Sequence, residues 1–330
     1  MTARAQPRVV AAVLGPTASG KSALGVALAE RLGGEIVGCD STAVYRGFDI
    51  GTDKVPLCEQ RGIPHHCVDI VEPDRDYTAA DYARDAMAAI QAVHARGRLP
   101  VIVGGTGFYY RALVRGLFPG PGRDDRLRGR LEALAARRGP ERLHRLLARI
   151  DPPSAARIRP RDEMRVVRAL EVYFQSGRTL TEHFADTRAP LAGWTVVAIA
   201  LRPPWEEIAR RVAERVDRQF ARGIEGEVRA ILARGVPPSA RPFTGYVYRT
   251  VLELVRGVRD AASAREVIVR ENCRYARRQL IWFRKEPNLV WIHRAGDRAE
   301  ALGEVEPLVA AQMVARQAPG PPGEHPTNVP

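Results

Sequence analysis

Apolar residues enter this chain as short unbroken runs separated by amphipathic stretches. RVVAAVL (8–14), EIVGCD (35–40), HHCVDI (65–70), LPVIVGG (99–105), WTVVAIAL (194–201) and NLVWIH (288–293) are short and rich in β-branched residues. Runs of that length and composition predict strands, several of them buried on both faces. Residues 22–32 and 78–96 carry apolar positions at helical spacing. Strands alternating with helices predict a parallel α/β sheet flanked by helices.

The pattern changes at FPGPGRDD, a Pro/Gly linker. Beyond it, LRGRLEALAARRG and MRVVRALEVYFQSG are helical and Arg-rich, and no strand pattern returns before residue 194. The expected organisation is an α/β core built from 7–118 and 191–315, interrupted by an all-helical insertion at 119–190. After 204 the pattern is helical to about 285. The Pro/Gly-rich end, 316–330, predicts a disordered tail. No internal repeat is visible.

With 330 residues, 45% hydrophobic and 27% charged, the chain can bury a sizeable core. No apolar run reaches the roughly 18 residues needed to span a bilayer, so no membrane association is expected. The first apolar run leads directly into a glycine loop, which reads as a strand rather than a signal peptide. Cys39, Cys58, Cys67 and Cys273 form no CxxC pair; a reduced cytoplasmic protein is the simplest expectation. The net charge of +13 alters the picture more. Only Lys21, Lys54 and Lys285 are lysines, and the remaining cations are arginines. Such a surplus points to a polyanionic partner, nucleic acid first. No oligomerisation element stands out, so a monomer is expected.

GPTASGKS (15–22) matches the G-x-x-x-x-G-K-[ST] phosphate loop in full, between a strand and a helix. Backbone amides and the helix N-terminus cradle phosphate, Lys21 adds charge, and Ser22 can ligate Mg²⁺. Asp40 and Ser41 follow the second strand, and GGTGFYYRAL (104–113) follows another. In open parallel sheets, reactive groups gather at the carboxyl ends of strands. The loop, Asp40 and Thr106 therefore share one sheet edge. Two chemistries fit. In a small-molecule kinase, Asp40 would help to hold Mg²⁺ while phosphate moves from ATP. Alternatively the loop holds a departing diphosphate, an acceptor attacks carbon, and Asp40 is the general base. A non-catalytic RNA-binding protein with a nucleotide switch is a third reading. His65 and His66 are adjacent without a third partner and read as structural. Asp124 and Asp125 lie in the linker and read as a helix N-cap.

The ordered set GPTASGKS, CDSTAVYRGFDIGTDK, GIPHHCVDIVEP, YTAADYARDA, GGTGFYYRALVRGL, MRVVRALEVY, RVDRQFARGIEGEVRAIL and ARRQLIWFRK resembles the tRNA dimethylallyltransferase (tRNA isopentenyltransferase) family in its bacterial form, without a zinc-finger extension after 293. The resemblance runs from about residue 8 to 293. It implies a P-loop NTPase-like core and transfer of a dimethylallyl group from dimethylallyl diphosphate to N6 of adenosine 37, beside the anticodon. The tRNAs concerned read codons beginning with U, and diphosphate is released. Gly15, Pro16, Thr17, Ala18, Ser19, Gly20, Lys21 and Ser22 would hold the diphosphate with Mg²⁺. Asp40 would take the N6 proton, Thr106 would bond near the reacting centre, and Arg215 would clamp the diphosphate. The implied tRNA contacts are Asp40, Ser41, Thr42, Ala43 and Thr106; Arg128 with Met164, Arg165, Val166, Val167 and Arg168; Gly245 and Tyr246 within 242–247; and Arg277, Arg278, Gln279, Trp282 and Arg284. The insertion is expected to grip the anticodon stem. Two departures stand out. Ala43 occupies a position where family members commonly carry Gln, so Thr42 or a backbone group would have to substitute. PFTGYVYRT differs from the usual Ile-Gly-Tyr pattern.

Overall fold

The computed structural model describes residues 7–315. The tail expectation for 316–330 lies outside the described residues. Those up to Leu113 and from Gly193 onward form one compact unit, and Val114–Ala192 form the other.

In the first unit, six strands make a wholly parallel sheet: β1 (Val9–Leu14), β2 (Gly34–Cys39), β3 (His65–His66), β4 (Leu99–Gly104), β5 (Thr195–Leu201) and β6 (Leu289–Ile292). Their order is β3-β2-β4-β1-β5-β6. Every residue of β1, β2 and β4 is buried, which is why β1 and β4 read as continuous apolar runs, whereas β2 also buries Glu35 against His66 and Arg96. Register decides what they present. Leu14 and Cys39 both pair with Gly104. The chain therefore leaves β1, β2 and β4 at one level, and residues 15, 40 and 105 start out along the same edge.

Around the sheet lie α1 (Lys21–Leu32), α2 (Ala79–Ala95) and α3 (Gly107–Arg115). The second unit holds α4 (Asp125–Arg138), α5 (Pro140–Ile150), α6 (Pro152–Arg157), α7 (Glu163–Ser176) and α8 (Leu180–Ala185). The first unit resumes with α9 (Trp205–Ala221), α10 (Ile224–Ala233), α11 (Tyr246–Val255), α12 (Ala261–Phe283) and α13 (Ala299–Ala315). The strand expected over 65–70 is shorter in the structure. Cys67 and Asp69 take left-handed backbone angles, φ 58° and 54°, and carry the chain out of the ladder after two residues. Helix α13 had no counterpart in the sequence reading. Its Ala301, Val305 and Val309, four residues apart, are fully buried beside Leu24 and Leu28 of α1.

The helical unit packs Leu131, Leu143, Leu147, Val166, Val167 and Leu170 into its own core. Asp124 caps α4 by accepting from Leu127 N at 2.9 Å. A fully buried Glu171 accepts from Asp124 N (2.8 Å), Arg128 (2.9 Å) and Arg168 (2.9 Å). Those bonds hold its carboxyl below the usual carboxylate range against the opposing effect of burial.

Candidate active site

The glycine loop is built to leave its amides open. Gly20, the N-cap of α1, has φ 81° and no side chain caps the helix. A Cβ on Gly20 would lie 2.7 Å from Gly296 N and 2.8 Å from Asp297 N, so glycine is required by both angle and space. The uncapped first turn is a ready anion site. Lys21 donates to Pro16 O at 3.3 Å. Burial, and then the neighbouring Arg215 guanidinium, pull its pKa down to about 8, against the opposing pull of Asp40 and Asp53.

Asp40 follows β2. Its Oδ1 accepts from Thr42 N (2.8 Å) and Ala43 N (3.2 Å), a turn that fixes the carboxylate. Both bonds fall on one oxygen, which leaves Oδ2 with the capacity to accept a substrate proton. Thr106, just past β4, accepts from Ser41 N at 3.0 Å and lies 3.5 Å from Ser41 Oγ. Cys39, one residue earlier, is buried, and burial drives its thiol up to about 12, so it is no nucleophile.

Four helices complete the wall. Arg215 of α9 donates to Thr17 Oγ1, pairs with Asp53 at 2.7 Å and reaches Thr52 O at 3.5 Å. One turn later, Gln219 donates to Ile50 O (3.1 Å) and Gly51 O (3.0 Å). Glu227 of α10 accepts from Asp49 N (2.9 Å) and Ile50 N (2.7 Å), and the Tyr248 hydroxyl of α11 accepts from Gly51 N at 3.0 Å. Segment 49–53 is thereby held from three helices. From α12, the buried Gln279 carboxamide accepts from Thr17 N (2.8 Å) and donates to Gly105 O (2.9 Å), tying the glycine loop to the β4 turn. Burial and the nearby Asp40 charge keep Tyr275 protonated.

Lys21 and Arg215 border three adjoining cavities. One, of about 360 Å³, is polar and includes Ser22, Asp53, Arg211 and Arg218. A second, of about 90 Å³, includes Asp40, Ala43 and Thr52. The third, of about 230 Å³, includes Thr17, Asp40, Ser41, Thr42, Gln219, Gly245, Tyr246, Tyr275 and Gln279. One side therefore offers cationic groups and helix amides, and the other offers a carboxylate between tyrosines. Lys21 and Arg215 sit where they meet, and Asp40 faces the same two residues across the second and third cavities. Such an arrangement can hold an anionic leaving group at one end and a nucleophile's proton at the other.

The remaining expected residues are placed as follows. Arg278 donates to the Tyr246 hydroxyl at 2.9 Å, Arg277 lies over Trp205 at 4.3 Å, and Arg284 is exposed. Trp282 lies beneath Arg111 and against Gly107. In the helical unit Met164 is 74% exposed and Arg165 is exposed, whereas Val166 and Val167 point into that unit's core. Arg128 and Arg168 bind Glu171. His66 bonds Glu35 at 2.7 Å. Sequence reasoning missed Thr52, Asp53, Gln219, Glu227, Tyr248 and Tyr275. Gln219 is four residues after Arg215 and Tyr275 four before Gln279, so helical spacing alone could have found those two.

Comparison with known proteins identifies the family. The family described as IPP transferase matches residues 43–286. A tRNA dimethylallyltransferase of Solibacter usitatus is 48% identical over 88% of this chain and 94% of its own length. One of Thermomicrobium roseum is 46% identical, covering 86% and 85%. The solved tRNA isopentenylpyrophosphate transferase of Bacillus halodurans superposes with a TM-score of 0.69 at 33% identity, covering 94% of this chain and 98% of that one. The family match over residues 43–286 and relatives that share 46–48% identity over most of both chains place this chain, with its glycine cradle and its aspartate two strands away, in the IPP transferase family.

Proposed function

We propose that this protein transfers a dimethylallyl group from dimethylallyl diphosphate to N6 of adenosine 37 in tRNAs that read codons beginning with U. The observation that carries the reading is the position of Asp40 in a tyrosine-walled cavity beside Lys21 and Arg215, the two residues that this cavity shares with a polar basin of mostly cationic groups. The diphosphate rests on the amides of residues 15–22 with Lys21, and Arg215 closes on it. As the N6–C bond forms and the C–O bond breaks, negative charge builds on the departing diphosphate, where these donors stabilise it. The amine loses its proton to Asp40 Oδ2. That proton is weakly acidic until the bond is forming, so orientation counts as much as basicity. The fixed Oδ1 turn and the Thr106–Ser41 pair supply that orientation. The target base leaves its stack to reach the carboxylate, at a cost of roughly a few kcal/mol.

A divalent cation fits the phosphate end. Ser22 borders the basin with Asp53 and the small cavity with Asp40. Among the described residues no three His, Cys, Asp or Glu side chains converge on a cation site. Mg²⁺ would rest on Ser22, a single carboxylate and substrate oxygens, its usual mode of binding beside phosphates. When bound it neutralises diphosphate charge. Free cysteines throughout the described residues fit a reducing cytoplasm, and no helix among the described residues is long and apolar enough to cross a membrane. A monomer suffices for this chemistry.

Incubation with dimethylallyl diphosphate, Mg²⁺ and unmodified tRNA, followed by digestion and mass spectrometry, tests the proposal. Prenylated adenosine with stoichiometric diphosphate is the expected result. ATP consumption without a modified base would favour a small-molecule kinase.

A further inference from the structure

A further cavity takes no part in the chemistry above. It measures about 570 Å³, within the range of small-ligand pockets, and is bordered by Arg202, Pro204, Trp205, Arg277, Ile281 and Arg284. Trp205 opens α9, and Arg277, Ile281 and Arg284 lie four and then three residues apart along one stripe of α12, Arg284 being its C-cap. Arg277 stacks on the Trp205 ring at 4.3 Å, and Ile281 is 53% exposed. No carboxylate borders the recess. Arg202, Arg277 and Arg284 make no ion pair among the described residues, whereas Arg211 and Arg215, farther along α9, are both paired. Three uncompensated guanidinium groups around an aromatic and apolar floor match a flat ring that carries a phosphate.

We propose that this recess binds a second nucleotide of the RNA substrate, one flanking the target base in the single-stranded loop. The inference rests on the RNA reading above. That reading sets exposed arginines of α12 against RNA; the recess adds a built site, in which Trp205 and Arg202 join them from the β5–α9 connection. Helix α12 turns Tyr275 and Gln279 toward the reaction cavity and Arg277, Ile281 and Arg284 toward the recess. A helix with its side chains is about 10–12 Å across. A strand crossing it would therefore lay the target base on one side and a neighbour on the other. The base would stack on the Arg277 guanidinium, which itself lies on the Trp205 ring, and against Ile281, and its phosphate would meet Arg202 and Arg284. Aromatic platforms rimmed by cations are the general means of holding single-stranded nucleic acid.

The test uses the full-length enzyme and an unmodified anticodon stem-loop. Trp205→Ala should weaken RNA binding ~5- to 150-fold, the equivalent of one lost stacking partner. Trp205→Phe should recover most of that loss. Arg202→Ala should lower the slope of log affinity against log salt by about 0.7, one single-strand phosphate contact. In each variant the KM for dimethylallyl diphosphate should stay unchanged. A stem-loop made abasic at a flanking position should bind the parent enzyme more weakly and bind Trp205→Ala no worse than the intact loop does. Because Trp205 also packs against the cluster of Ile208 and Val212, melting curves accompany each variant, and Arg202→Ala carries the test if Trp205→Ala fails to fold. Two outcomes overturn the inference. One is parental RNA affinity and salt slope in the variants of an enzyme that does prenylate tRNA. The other is quenching of Trp205 emission by free ATP or ADP that the stem-loop cannot displace, which would mark an effector site. If the parent enzyme does not prenylate tRNA, the functional reading fails and not merely this one.

Discussion

The two walls of the reaction cavity are made in different ways. The sheet-edge wall is local. Residues 15–22, Asp40–Ala43 and Gly105–Thr106 each follow a strand directly, and the pairing of Leu14 and Cys39 with one residue of β4 sets them level. The helical wall is assembled from a distance. Arg215 reaches Thr17 across 198 positions and Gln279 reaches it across 262. In the proposed mechanism the first wall supplies most of the groups that act on substrate, and the second adds the Arg215 clamp and otherwise fixes where those groups stand. Changes to the first should cost chemistry, while changes to the second should cost stability and alignment together.

Asp40→Asn breaks the chemical wall most sharply. It keeps the side chain's shape and removes its proton-accepting capacity, so kcat should fall ~10²–10⁴-fold. Binding of donor and RNA should persist, as read by equilibrium titration. Lys21→Met should cost ~10²–10³-fold, the usual loss for one preorganised donor to a developing anion. The pH profile sharpens this point. Diphosphate needs protonated Lys21, whose pKa in the free protein is about 8. kcat/KM for the donor should therefore fall as pH rises through that value, a limb that Lys21→Met lacks. The stability sign is opposite. A lysine lowered from 10.5 to about 8 opposes folding while charged. Free-protein stability attributable to it rises between pH 8 and 10.5, and Lys21→Met should melt higher at neutral pH without donor.

Breaking the distant wall should give the other pattern. Gln279→Leu leaves Thr17 N and Gly105 O unpaired in a buried setting, at about 1–3 kcal/mol for each group left unsatisfied. Melting temperature and kcat should drop together. Tyr248→Phe removes one bond to Gly51 N and one to Glu227, for about 0.5–1.5 kcal/mol each. It should show mainly in the melting curve. The smallest effect is expected in the helical unit. Reversal of the exposed Arg126 and Arg130 to Glu should weaken RNA binding and flatten its salt dependence. Retained affinity would remove that unit from RNA contact.

The same contrast explains what the sequence could disclose. β1, β2, β4 and β5 were legible because strands buried on both faces are mostly apolar, and the glycine loop because its spacing is dictated by phosphate. β3 was overcalled because HHCVDI has strand composition, and nothing in it announces the left-handed turns at Cys67 and Asp69. α13 was missed because its alanine-rich face gives a faint period. Glu227 and Tyr248 were invisible for a deeper reason. Their partners are backbone amides of segment 49–53, and a backbone amide has no sequence signature. Arg128 and Arg168 show the converse. An arginine facing a polyanion and one holding a buried carboxylate look alike until Glu171 is seen between them.

The claim on which the rest depends is that carbon moves and phosphate is discarded. Dimethylallyl diphosphate carrying a heavy oxygen isotope at the bridging position between carbon and phosphorus tests it in a single turnover. If Asp40 and the glycine cradle act as described, the label leaves entirely with diphosphate and the RNA gains an unlabelled prenyl group on adenine. Label retained on the organic fragment, or phosphate appearing on the RNA, would contradict it.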